Sequence, residues 1–337
     1  MSLIGLANKL VIVLGTLVPF SPWKVWLYRR LGFRIGKHVR IRGASFIYAR
    51  AATLGNGVVI EPRTRIVCDE LTMGDESKID SETTVFGGGP LEMARGSYIG
   101  PRAWVNCEAQ VSLGRGTGVG PGSSIYTHGV WLPYVDGYPR KFAPVILEDD
   151  VWIPGNVTIQ PGVRIGRSSM VGAGAVVTKD IPPNSFAAGC PATVISSMDS
   201  IRANLGPDDV RGRVREVLDD FLRHLERRGV LVQRGADSLY AQGRTGGLRN
   251  RTFSLMLLEH RPSPEDIRPL LDAEARSELI VVLAQGADEA VLDAVAGRPA
   301  AHWLDIPTKR CSATWTGFAY ELRRYFASHY GTRFLLA

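Results

Sequence analysis

Large aliphatic residues return at every sixth position through the middle of the chain: Leu147, Ile153, Ile159, Ile165, Val171 and Val177. An amphipathic helix repeats its apolar positions about every 3.6 residues and a half-buried strand every second one, so neither explains this spacing. A short strand followed by a corner does. The aliphatic of each unit points inward, and the residue four further on sits near the bend, where only a small or modest side chain fits. Those places hold Val151, Val157, Val163, Ser169 and Ala175. Glycines such as Gly166 and Gly172 suit the corners through their conformational freedom. Three units close a triangular turn that stacks Leu147 under Ile165 and Ile153 under Val171, with each coil bonded to the next at about 4.8 Å. The pattern predicts a parallel β-helix, a mainly β solenoid.

The rhythm extends upstream with slips of one or two residues. Ile35, Ile41 and Ile47 are in phase, then Leu54, Ile60 and Ile66, then Met73, Ile79 and Val85. Ile99 and Val105 follow, and after them Leu113, Val119 and Ile125. The larger gap at GGGPLEMARGSY reads as an irregular turn. Between Ile125 and Leu147 the rhythm stops for a long excursion, YTHGVWLPYVDGYPRKFAPVI. Roughly seven or eight coils result, a prism about 35 Å long.

After residue 200 the texture changes. DDVRGRVREVLDDFLRHLERRGV carries an apolar stripe at helical spacing, with charges opposite it. RGADSLYAQGRTGGLRNRT reads as a mobile loop. Then TFSLMLLEH, PEDIRPLLDAEA, LIVVLAQ, ADEAVLDAVAG, AHWLDI and FAYELRRYFASHYG alternate as strands and helices, predicting a small α/β domain. The organisation is an apolar and basic segment over 1–34, a β-helix over 35–198 with its loop at 126–146, and an α/β domain over 205–337.

Charge changes the picture at the N-terminus alone. The formal net charge is +7. Residues 1–50 hold nine lysines and arginines and no acid, while the rest carries 31 basic and 33 acidic residues. An anionic partner should therefore meet this end. The opening LIGLANKLVIVLGTLVPF is interrupted by Asn8 and Lys9 and closed by Pro19, which argues against a spanning helix. The basic residues follow the apolar run, unlike those of a signal peptide. Two readings stay open: an interfacial anchor with Trp23, Trp26 and Tyr28 at headgroup level on an anionic membrane surface, or a helix packed on its own protein. A nucleic-acid partner is not expected. Cys68, Cys107, Cys190 and Cys311 form no C-x-x-C pair and fit a reduced, cytoplasmic setting. The six histidines have no metal-ligand spacing, so no metal is expected.

The stretch VWIPGNVTIQPGVRIG…VGAGAVVTKDIPPNSFAAGCPATVI resembles the C-terminal coils of the left-handed β-helix acyltransferases, the hexapeptide-repeat family that includes galactoside, maltose and serine acetyltransferases. The resemblance covers about residues 35–195. It is densest over 145–195, in V-W-I before a turn, V-V-T-K-D-I-P-P and A-G-x-P-A. It implies a left-handed coil, a homotrimer with sites between subunits, and acetyl-CoA as acyl donor. The excursion matches a family loop that reaches over a neighbouring subunit, and His128 at its start matches the catalytic base. Imidazole titrates in the range such a base needs. Asp136 or a backbone carbonyl would orient the ring. Gly155 matches the turn amide that binds the oxyanion, although Pro154 stands where the family has glycine. Trp152, Ala173, Thr178 and Lys179 match positions that hold coenzyme A, with Arg164 and Arg167 as helpers. Asn106 and Trp131 are candidate acceptor contacts. Cys190 replaces a common asparagine and reads as a small buried residue. The expected activity is O-acetylation of a sugar hydroxyl in a polysaccharide, lipopolysaccharide or glycolipid, in the cytoplasm or at the inner membrane face. N-acylation of an amino sugar or nucleotide-sugar and a non-catalytic scaffold are the alternatives.

Overall fold

The computed structural model describes residues 20–129, 132–235, 239–245, 251–265, 267, 278–298, 300–312, 317–330 and 334–336. The chain divides into two compact units, Met1–Ala203 and Asn204–Ala337.

The first unit is a three-sided parallel solenoid. One sheet stacks Ile35, Leu54, Met73, Met93, Leu113, Leu147 and Ile165 in register. The second stacks Ile41, Ile60, Ile79, Ile99, Val119 and Ile153, then Val171 on Ala187. The third stacks Ile47, Ile66, Val85, Val105, Ile125, Ile159 and Val177. Nearly all these side chains are fully buried in one continuous core. The column explains the gap that the sequence left. Met93 takes the missing inward place on a regular strand, Leu91–Met93, so GGGPLEMARGSY is no irregular turn. Met93 stacks on Met73 and comes eight residues after Val85, a slip of two at the preceding corner.

The corner glycines also have a different cause from the expected one. A Cβ on Gly166 would lie 2.3 Å from Pro183 N, and one on Gly172 would lie 2.6 Å from Ala188 Cβ. Close approach of the next coil excludes a side chain at both. The left-handed conformation falls two residues later, at Ser168 and Gly174. Serine and threonine at the bends tie successive coils. Ser123 Oγ donates to Pro154 O at 2.8 Å and accepts the Val157 N–H at 3.1 Å, and Ser169 does the same with Pro182 O and the Ser185 N–H. Buried hydroxyls with both roles filled carry no desolvation penalty left unmatched.

The helix Ser21–Arg30 (α1) closes the exposed edge of the first coil. Ser21 Oγ accepts the Ile41 N–H at 2.9 Å and Tyr28 Oη accepts the Ile47 N–H at 2.8 Å. The fully buried Lys24 ammonium donates to Arg42 O at 3.0 Å and Ser45 O at 2.8 Å, and burial lowers its pKa. Arg29 donates to the carbonyls of Ile35 and Gly36. An open strand edge invites pairing with other chains, and α1 occupies it with side chains instead. Lys24→Met keeps the bulk and strands the buried Ser45 carbonyl and the half-buried Arg42 carbonyl, so the cap should weaken by about 1–3 kcal/mol. Faster amide hydrogen exchange at Ile41 and Ile47 measures that loss. Residues 1–19, where the apolar opening falls, lie outside the described residues.

The second unit packs helices on both faces of a seven-stranded sheet. Strands Thr252–Leu258, Glu278–Leu283 and Ala301–Asp305 run parallel at its centre. The helix Pro207–Arg227 buries Val214, Val217, Leu218, Phe221, Leu222 and Leu225, the stripe read from the sequence. The glycine- and arginine-rich stretch is not simply a loop, because Leu239–Thr245 is a strand paired on both sides. Gly243 interrupts its alternation because the Phe253 ring fills the space a Cβ would need. PEDIRPLLDAEA lies largely outside the described residues. Among those described, no helix is long and apolar enough to cross a membrane.

Candidate active site

The sheet order assigns the site residues to two edges of the prism. Asn106 ends a strand of the third sheet and His128, Thr178 and Lys179 follow its strands, at the edge where the chain turns toward the first sheet. Gly155 and Ala173 follow strands of the second sheet, at the edge where it meets the third, and Trp152 lies on the second sheet itself. Six residues separate one corner from the next, which is up to about 20 Å of extended chain.

At the first edge the polar groups converge. The strand Trp104–Asn106 ends with Asn106 fully buried, one coil before His128. His128 Nδ1 lies 2.6 Å from Asn106 Oδ1. The Thr127 N–H also points at that oxygen, at 3.3 Å, and Thr127 Oγ1 donates to Asn106 O at 3.0 Å while accepting the Ala109 N–H at 3.0 Å. A backbone N–H can only donate, so the atom it meets is the amide oxygen, and the imidazole must present Nδ1–H to it. In the neutral ring the lone pair then sits on Nε2. This orientation leaves Asn106 Nδ2 buried without an acceptor, which costs about 1–3 kcal/mol.

The loop supports the ring from its other side. His128–Gly129 pairs antiparallel with Lys141–Phe142, and the Phe142 ring stacks on His128 at 5.7 Å. Asp136, named from sequence as a possible orienter, is exposed on the turn Tyr134–Asp136; the ring meets Asn106 instead. Asn106, read as an acceptor contact, is buried and reaches the site through His128. Trp131 lies outside the described residues. Sequence reasoning missed Trp104, exposed two residues before Asn106 and packed on Phe86 at 4.8 Å. Its signal was an aromatic at an outward strand position, where solvent exposure wastes apolar area.

At the second edge, Gly155 occupies the column of Pro62, Ser81, Pro101 and Pro121 in earlier coils. Three of those residues have no N–H. Gly155 has one, and it donates to no acceptor among the described residues. Pro154 is held by Ser123 through its carbonyl, and Gly120 lies so close beneath that a Cβ there would reach Gly155 N at 2.8 Å. The amide is rigidly placed. Trp152, Ala173, Thr178 and Lys179 are exposed. Arg164 is engaged by Glu148 at 2.9 Å, and the same carboxylate accepts the Arg167 N–H. Cys190 is exposed beyond the strand Ser185–Gly189, contrary to the buried place expected of it. It stands at a hairpin tip rather than in a coil.

The family described as bacterial transferase hexapeptide (six repeats) matches residues 144–179. The chain is 28% identical to galactoside O-acetyltransferase of Escherichia coli over 164 residues, 48% of this chain and 79% of that protein. With a provisionally named acetyltransferase of Schizosaccharomyces pombe it shares 53% identity over 57 residues, spanning only 28% of that protein's length. Among solved structures, a hexapeptide-repeat acetyltransferase of Vibrio cholerae complexed with acetyl coenzyme A is similar at TM-score 0.36 and 23% identity, covering 56% of this chain and 84% of that one. An N-acyltransferase of Bacillus cereus in complex with dTDP-4-amino-4,6-dideoxyglucose and coenzyme A is similar at TM-score 0.38 and 22% identity, covering 58% and 94%. The first unit, a left-handed parallel β-helix, thus carries the bacterial transferase hexapeptide repeat over residues 144–179 and is similar to acetyltransferases built on it.

Proposed function

We propose that the β-helix transfers an acetyl group from acetyl-CoA to a sugar hydroxyl of a polysaccharide, lipopolysaccharide or glycolipid, in the cytoplasm. The observation that carries this reading is the imidazole of His128 held by Asn106 through Nδ1, which leaves Nε2 to face an acceptor. A sugar hydroxyl is a poor nucleophile and needs its proton removed as it attacks, whereas an unprotonated amine does not, so an oriented base favours O-acylation.

In the proposed reaction the hydroxyl oxygen bonds to the thioester carbonyl carbon while its proton passes to His128 Nε2. The Gly155 N–H holds the resulting oxyanion. Collapse breaks the carbon–sulfur bond, the thiolate takes the proton back from the imidazolium, and the O-acetyl sugar and free coenzyme A depart. Trp104 offers a flat apolar surface beside Asn106 for the carbon face of a sugar ring, and Trp131 is a second acceptor contact. Trp152, Ala173, Thr178 and Lys179 line the coenzyme.

The two halves of this site lie on different prism edges, so a site holding both needs a second chain. A homotrimer with three interfacial sites meets that need. The exposed apolar residues of the loop, Leu132, Tyr134, Val135 and Tyr138, are available for a neighbouring subunit. Thiol release from acetyl-CoA, followed with sugar and amino-sugar acceptors side by side, tests the proposal. Turnover with hydroxyl acceptors supports it. Turnover with amines alone, or none together with no coenzyme binding, overturns it.

A further inference from the structure

The N-terminal sequence left two readings open, a membrane-facing segment or a helix packed on its own protein, and α1 has the geometry for both. At about 100° per residue, Ser21, Lys24, Val25 and Tyr28 form one face, the face that seals the first coil. Trp23, Trp26 and Arg30, with Phe20 just before the helix, fall on the opposite side within an arc of about 120°. The outward aromatics are unusually bare: Phe20 and Trp23 are each 68% exposed and Trp26 is 56% exposed. Nothing in the sealing of the coil requires them, since that work is done by hydrogen bonds from the other face.

Charge identifies the occupant. Arg30 lies over the Trp26 ring at 5.4 Å. The next basic residues along the chain, Arg34 and Lys37, are exposed, and the first acid in the sequence is Glu61. The carboxylates that do engage this region pair with Arg42 and Arg50, further along. Arg30, Arg34 and Lys37 meet no carboxylate among the described residues. An aromatic row flanked by uncompensated cations matches a bilayer interface with anionic headgroups, where tryptophan sits at the boundary and each nearby cation adds about 1 kcal/mol. A protein partner would need a matching acidic and apolar groove. A lipid surface needs neither.

We infer that the outer face of α1 docks on an anionic lipid surface while its inner face caps the β-helix, so the first coil itself is the membrane-proximal end. The inference stands apart from acyl transfer, because docking needs no turnover.

The test is co-sedimentation of the full chain with vesicles of phosphatidylglycerol and phosphatidylcholine against phosphatidylcholine alone. Binding is expected only to the anionic vesicles and should weaken as salt rises. Trp23→Ser with Trp26→Ser should lower the partition coefficient about tenfold, since both interfacial anchors are removed. The same pair should abolish quenching of tryptophan fluorescence by brominated lipid, and amide exchange at Ile41 and Ile47 should stay slow because the cap is intact. His128→Ala should bind like the parent chain, which separates this result from failure of the proposed reaction. Three results overturn the inference: no preference for anionic vesicles, unchanged binding in the double variant with loss only on Val11→Asp, or a changed oligomeric mass in the double variant, which would make the face a contact between copies.

Discussion

His128→Ala should lower the turnover of acetyl transfer by a factor of about 10² to 10⁴, the usual contribution of a positioned general base, while coenzyme binding and the solenoid core stay intact. The expectation rests on how the ring is held. His128 lies outside the stacked aliphatic column, so its loss opens no cavity in the core. Its Nδ1–H is committed to Asn106 Oδ1, an oxygen whose identity is fixed by the Thr127 N–H. Turnover by thiol release and coenzyme affinity by calorimetry separate the two roles. Near-parent turnover in a folded variant would remove His128 from the chemistry. Asn106→Ala serves as a companion, because it frees the ring without removing it. Its effect should fall on kcat rather than KM and be smaller, and Asn106→Asp, which keeps an acceptor in place, should recover part of it.

Much of this was legible in the sequence because a solenoid writes its fold in one short period. Each inward aliphatic contacts its equivalents one coil away, so Leu147, Ile165 and their column needed no long-range inference. The rhythm did not lapse at GGGPLEMARGSY but slipped: Met93 is inward like Met73, eight residues after Val85 instead of six. The candidate site was half legible. His128 announced itself at the start of the long excursion, but its partner could not be found by proximity in sequence. Asn106 and His128 are 22 residues apart and come together only because one coil stacks on the next. The same stacking explains why Gly166 and Gly172 were assigned the wrong reason, since a clash with the following coil leaves no trace in local sequence. In the second unit, Gly243 hid a strand for a similar reason, its space being filled by Phe253.

Gly155→Pro should cost a factor of about 10² to 10³ in turnover if its N–H is the oxyanion donor. Proline is the substitution to use because the fold already accepts it in this column, at Pro62, Pro101 and Pro121. The corner conformation is kept and the N–H is removed. Ordinary stability with a large loss of kcat is the expected pair of results, and unchanged turnover would send the oxyanion elsewhere. The two variants together make a stronger test. His128 and Gly155 stand on different edges of one prism, so the proposed composite site would take the base from one chain and the amide from its neighbour. Each variant alone should be inactive. In trimers reassembled from an equal mixture of His128→Ala and Gly155→Pro chains, one interface in four pairs an intact base with an intact amide, so about a quarter of the parent activity should return. A site built within a single chain would stay dead in every mixture, because no chain would carry both groups.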